Sequence, residues 1–136
     1  MDQPEDQAGE VLSLNPDADW LLQLFVKIAN SDGIQLPVTL STNSGLVTGI
    51  LIGGGEYFEL LKQQLSQWAV DAAQPWLDAA DEWKKDYDEP TPDPVMVHLK
   101  EAKFVAGPGI MPKNSTLWRG QLSSVSGFSL GILSSN

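Results

Sequence analysis

Between Leu36 and Gly55 the chain reads LPVTLSTNSGLVTGILIGGG, without one Asp, Glu, Lys or Arg, in a protein where these types make up 19% of 136 residues. Such a segment must be buried or covered, because apolar surface left in water forfeits the transfer free energy that drives folding. Pro37–Thr42 and Leu46–Ile52 are rich in β-branched residues, and Asn43-Ser44-Gly45 between them supplies turn formers and a residue free to take positive φ. The segment therefore predicts a two-stranded hairpin. Gly49, inside the second strand, marks a bend or a close approach, since glycine otherwise weakens a strand interior. Gly53-Gly54-Gly55 ends the run, and Glu56 follows in the first turn of a helix, where an acidic side chain suits the helix dipole.

The hairpin needs elements to cover it. Upstream, Trp20, Leu21, Leu24, Phe25 and Ile28 recur at helical spacing, with Asp17 or Asp19 as N-cap and Gly33 suited to the left-handed position after the last turn. Asn15, Asp17 and Asp19 alternate as a calcium loop begins, but Trp20 and Val26 stand where the loop's glycine and last glutamate belong, so capping is the better reading. Downstream, Phe58, Leu61, Leu65, Trp68, Ala72, Trp76, Ala79 and Trp83 step by three or four residues and share one stripe. Pro75 interrupts the hydrogen-bond ladder, which predicts two helices, 57–73 and 76–86. Asp88-Glu89-Pro90-Thr91-Pro92-Asp93-Pro94 reads as a stiff linker.

Beyond it, Val95, Val97 and Leu99 alternate with Met96, His98 and Lys100 as in a half-buried strand. Gly107 through Asn114 reads as a loop, and Leu117–Ser123 and Phe128–Leu133 as two more strands. The expected fold is α+β: an N-terminal helix, then a bent five-stranded antiparallel sheet, with a helical insertion over 56–94 between strands 2 and 3. Residues 17–136 form a single domain, and residues 1–16, acidic and aperiodic, form a disordered tail.

Charge narrows the function. The net charge is −10, and residues 1–20 hold six acids and no cation, while residues 56–94 hold ten acids against Lys62, Lys84 and Lys85. Neutralising phosphates takes clustered Lys and Arg, so nucleic-acid binding is disfavoured. The absence of cysteine excludes disulfides, Cys-ligated zinc, iron–sulfur clusters and thiol catalysis. No apolar run has the length of a membrane helix and the N-terminus lacks the pattern of a signal peptide, so the expected location is cytoplasmic, without membrane contact.

Reactive groups are few. His98 is the sole histidine, so a His-based metal site or a His-containing triad has one possible member, and it reads as a strand residue facing water or bonded to a neighbour. Gly53, Gly54 and Gly55 between strand and helix are a candidate ligand loop, with backbone N–H groups at a helix start, but they lack the Lys and Ser/Thr of a Walker loop and the spacing of a dinucleotide fingerprint. Glu56 and Glu59 also repel phosphate there. The chain offers no catalytic residue set, no metal site and no cofactor motif. Trp68, Trp76 and Trp83 on one stripe are either core or an exposed contact patch, because a five-stranded domain has a limited face to offer a long inserted helix.

The run F25-V26-K27-I28-A29-N30, Gly33, L36-P37-V38-T39-L40, G49-I50-L51-I52 and E56-Y57-F58, with V97-H98-L99-K100-E101-A102, L117-W118-R119-G120-Q121-L122 and G127-F128, resembles the accessory protein U family of bacterial gas vesicles. V38-x-L40, Gly45 and the bent L46-V47-T48-G49-I50-L51 are also similar to the first strands of Sm-like small β-barrels, although the helical insertion departs from that pattern and the basic RNA-holding loops have no counterpart. The first resemblance implies a non-enzymatic accessory protein acting by self-association, as a homo-oligomer, and by contact with vesicle shell or accessory proteins. Trp68, Trp76 and Trp83, then Trp20 and Trp118, are the candidate contact residues. The alternatives are a small-molecule-binding domain or enzyme using Gly53–Gly55 with His98 or Arg119, and, last, Sm-like RNA binding.

Overall fold

The computed structural model describes residues 16–68, 71–88, 93–106 and 109–133. The acidic segment 1–15, expected to be a disordered tail, and the linker positions 89–92 lie outside the described residues. Helix α1 (Trp20–Asp32) leads into β1 (Leu36–Thr42) and β2 (Gly45–Ile52). Helices α2 (Gly54–Trp68) and α3 (Ala73–Lys84) follow, then a short 3-10 turn at Lys85–Tyr87. Strands β3 (Met96–Ala106), β4 (Gly109–Gln121) and β5 (Val125–Leu130) complete the chain. The five strands form one antiparallel sheet in the order β4-β3-β2-β1-β5, open rather than closed, with the helical insertion between β2 and β3. The α+β class and element order expected from the sequence hold.

Helix α1 covers one face of the sheet. Asp19 caps it by accepting a hydrogen bond from the Leu22 N–H at 2.8 Å, and Gly33 ends it at φ 71° with its N–H donated to the Ala29 carbonyl. The buried positions are Leu22, Gln23, Val26 and Ala29, not the stripe of Trp20, Leu21, Leu24, Phe25 and Ile28. The helix is turned because the small Ala29 lets its backbone close on Gly53, where a Cβ would come within 2.5 Å of the Ala29 carbonyl oxygen. Gln23 tolerates burial by donating its amide to the Ala18 carbonyl. Leu22, Val26 and Ala29 pack with Val38, Leu40, Val47, Leu51, Val97 and Leu99 to form the larger core.

The hairpin register runs from Leu36 opposite Leu51 to Thr42 opposite Gly45. Gly49 marks a close approach, as expected: an added Cβ would sit 3.0 Å from the Lys100 carbonyl oxygen and 3.1 Å from the Ala102 Cα. There the β2–β3 register shifts, and Glu101 takes a left-handed φ of 52°, the signature of a bulge that bends the sheet.

Strand β4 is longer than the sequence indicates. Gly109–Asn114, expected to be loop, is strand paired with the far end of β3, as Val105 opposite Ile110 shows. Pairing with a long neighbour outweighs the weak strand preference of a segment carrying Gly, Pro and Asn. The last strand begins earlier than expected and stops at Leu130, because Gly131 at φ 106° turns the chain back over β1 and β2. Its N–H is donated to the Pro37 carbonyl, its carbonyl accepts from Thr39 Oγ1 at 2.9 Å, and the Leu133 N–H is donated to Thr48 Oγ1 at 2.9 Å.

On the opposite face from α1, Tyr57, Phe58 and Leu61 of α2 pack against Ile50, Ile52 and Leu117 in a second, smaller core. Strand β3 is therefore covered on both sides, with Val97, His98 and Leu99 all buried. Helix α3 touches the rest far more lightly. Ala80 is its one buried residue, and Lys62–Asp81 (3.0 Å) and Lys84–Glu59 (2.9 Å) tie it to α2 through exposed ion pairs. Pairs of that kind contribute about 0–1 kcal/mol each. Helix α2 ends at Trp68 and α3 starts at Ala73, with Ala72 at φ 52° before it and Pro75 in its first turn.

Candidate functional site

The insertion brings three tryptophans to the surface. Trp68 at the end of α2 is 79% exposed, and Trp76 and Trp83 of α3 are 53% and 42% exposed. Burial separates them from their own stripe: Phe58 is in the core and Leu61 and Leu65 are half-buried, but the stripe leaves the sheet behind as it passes from α2 to α3. Trp68 and Trp76 are surface groups, whereas Trp83 is partly exposed with its ring 6.0 Å from that of buried Phe58. Trp20 is also exposed, at the start of α1. Trp118 is half-buried, its ring folded over Gly120, where a Cβ would meet it at 2.3 Å, and its edge against the larger core.

The glycine run is filled by protein. The Gly54 N–H is donated to Asn30 Oδ1 at 2.8 Å, which ties the start of α2 to α1. The Tyr87 ring lies over Gly54 so closely that a Cβ there would be 2.3 Å from its Cε1. Gly53 abuts Ala29, and only Gly55 has room, its nearest neighbour being the Tyr87 Cβ at 3.9 Å. Glu56 faces Lys100 at 2.9 Å and accepts from the Gln35 amide. The backbone groups of this loop are thus engaged in seating α2.

Tyr87 also walls in His98. The imidazole is 1% exposed, buried rather than facing water or bonded to a neighbour, because α2 and the 3-10 turn cover the face of β3 to which it points. Its ring lies 4.5 Å from Tyr57 and 6.0 Å from both Phe58 and Tyr87 between centroids. Neither ring nitrogen has a hydrogen-bond partner among the described residues. Burial, and then the Arg119 guanidinium, lower its pKa to about 3, so it is neutral at physiological pH.

Arg119 stands opposite His98 in the β3–β4 register and lies over the Phe58 ring, 5.6 Å from its centroid. With Tyr57, Phe58, Leu61, Trp83, Asp86 and Tyr87 it lines a cavity of about 330 Å³. Burial raises the pKa of both tyrosines, and Arg119 opposes that shift in each. The sequence puts His98 and Arg119 in one candidate set, and the register brings them together. Tyr57 and Tyr87 escape notice in the sequence, since one tyrosine in a helix and another at the edge of an acidic linker carry no motif.

Among the described residues, no group of three or more His, Cys, Asp or Glu side chains is placed to hold a metal, and no helix is long and apolar enough to cross a membrane. Compared with known families, the chain matches the model described as gas vesicle protein GvpU-like over residues 19–133. No curated protein and no solved structure matches it.

Proposed function

Because the chain belongs to the gas vesicle protein GvpU-like family, and is in that sense a gas-vesicle-associated protein, we propose that it is a non-enzymatic accessory protein that docks through the tryptophan face of its helical insertion. Its partners in this reading are vesicle shell or accessory proteins and further copies of itself, in the cytoplasm. The observation that carries it is the exposure of Trp68, Trp76 and Trp83 on two consecutive helices. Aromatic side chains dominate interface energetics when desolvated by a partner, and three surface indoles in one insertion are more than solubility explains.

The rest of the fold supports a division of labour. The sheet and α1 carry the larger core, while α3 is held to α2 by buried Ala80, the Trp83 ring on Phe58 and exposed ion pairs. Lys62, Lys84 and Lys85 are each occupied by a carboxylate of the insertion itself, leaving its outer charge acidic. That surface does not favour RNA, which needs free cations along its backbone.

Co-sedimentation with purified gas vesicles tests the proposal. Wild type is expected to sediment with vesicles, and Trp76→Ala to sediment less while keeping its circular dichroism spectrum. Absence of the wild-type protein from the vesicle fraction would sink the docking idea. A ligand site built on Gly53–Gly55 finds less support, since Ala29 and Tyr87 fill the space over Gly53 and Gly54.

A further inference from the structure

The cavity beside α2 shares three walls with the buried histidine. Tyr57, Phe58 and Tyr87 line the cavity on one side and enclose His98 on the other. Leaving a buried polar group without a partner destabilises the fold. A phenylalanine or leucine would fill the same space without that cost. The imidazole is thus a polar group held behind an aromatic wall, with no hydrogen-bond partner among the described residues.

Charge at the rim says what kind. Lys27, Lys62, Lys84, Lys85 and Lys100 each form an ion pair, whereas Arg119, like Lys103, forms none among the described residues, and Arg119 alone stacks on a ring, that of Phe58. Its field reaches the floor, acting on Tyr57, Tyr87 and His98 alike. An unneutralised guanidinium over aromatic walls suits a carboxylate on a flat apolar body. Asp86 on the same lining works against a second negative charge. A volume of about 330 Å³ is at the small end for ligand pockets and fits one ring system, not a nucleotide.

We propose that this cup binds a small aromatic monocarboxylate, with its ring among Phe58, Trp83 and Tyr87, its carboxylate on Arg119, and His98 as the polar group behind the ring wall. The site shares Trp83 with the proposed vesicle contact, but its titration without vesicles tests it independently of that contact.

The full chain is titrated with benzoate and with indole-3-carboxylate, with the corresponding amides and with inorganic phosphate, by calorimetry and ligand-detected NMR. A carboxylate is expected to bind with a Kd of about 1 mM or tighter. Its amide should bind about tenfold more weakly, as loss of a charge-assisted hydrogen bond implies. Arg119→Gln, at an exposed position, should weaken the carboxylate by a similar factor, Asp86→Asn should strengthen it, and His98→Phe should weaken it while the protein stays folded. Equal affinity for acid and amide, no binding of either acid, phosphate binding as tight as the carboxylates, or an unchanged Arg119→Gln variant would each overturn the assignment.

Discussion

The Tyr87 ring rests on Gly54 with no space for a side chain between them: a Cβ on residue 54 would lie 2.3 Å from two ring carbons. This contact joins the last turn of the insertion to its first residue. It closes the insertion into a loop anchored on the sheet through Ile52 and His98.

Gly54→Ala therefore forces Tyr87 aside and opens the second core. Overpacking of this kind costs about 1–3 kcal/mol, read as a lower midpoint in urea. Tyr87→Ala in the same background should recover part of the loss, because the clash goes with the ring. If Gly54→Ala is as stable as wild type, the ring does not occupy that space in solution.

His98 makes stability depend on pH in a defined direction. Its pKa falls from 6.5 in the unfolded chain to about 3 in the fold, so below 6.5 the unfolded state binds the extra proton. Its contribution is fully present above pH 6.5 and is lost as pH falls towards 3, by about 1.4 kcal/mol per pH unit within that window. Unfolding midpoints measured at several pH values should fall with acid more steeply in wild type than in His98→Phe, the difference between the two reporting His98. The same slope in both proteins would place the proton uptake elsewhere.

Thr48 holds the chain's return across the sheet. Its hydroxyl lies 3.0 Å from Thr39 Oγ1, accepts from the Leu133 N–H, and is 3.3 Å from the Val38 carbonyl. Thr48→Val keeps the shape and removes these bonds, at a cost of about 1–2 kcal/mol. Amide exchange should accelerate at Leu133, with β1 and β2 amides protected as before. Uniform acceleration would argue that the effect is global.

Trp76 separates contact from packing. Because its side chain is more than half exposed, Trp76→Ala should change stability by less than about 0.5 kcal/mol while reducing sedimentation with vesicles. Leu22→Ala, at a position with no exposure in the larger core, should cost about 2–5 kcal/mol. A Trp76 variant as destabilised as the Leu22 variant would return the indole to a structural role.

Much of this fold is legible in the chain because its punctuation is local. Asp19 caps through its side chain, Gly33, the Asn43-Ser44-Gly45 turn and Pro75 act through their own backbone, and Gly49 admits a close neighbour, each where its chemistry requires. What periodicity misreads is set by neighbours distant in sequence. The face of α1 follows from the approach of Ala29 to Gly53, the length of β4 from pairing with β3, and the burial of His98 from a helix laid over the strand. The candidate cup is legible only in part for the same reason. His98 and Arg119 stand out by type, but Tyr57, Tyr87 and Asp86 join them only when the insertion folds back.

The five lysine–carboxylate pairs have a consequence for how two molecules meet. A matched pair is a short dipole whose field dies within its own neighbourhood, so what a second molecule senses at a distance is the unmatched remainder of a −10 chain. That remainder acts as a repulsive monopole, and the screening length of roughly 8 Å at physiological ionic strength fixes how near two copies come before they feel it. Indole contact works only at touching distance. In the proposed self-association, encounter is therefore slowed at low salt and eased as salt screens the charge, whereas indole contact responds to salt far less.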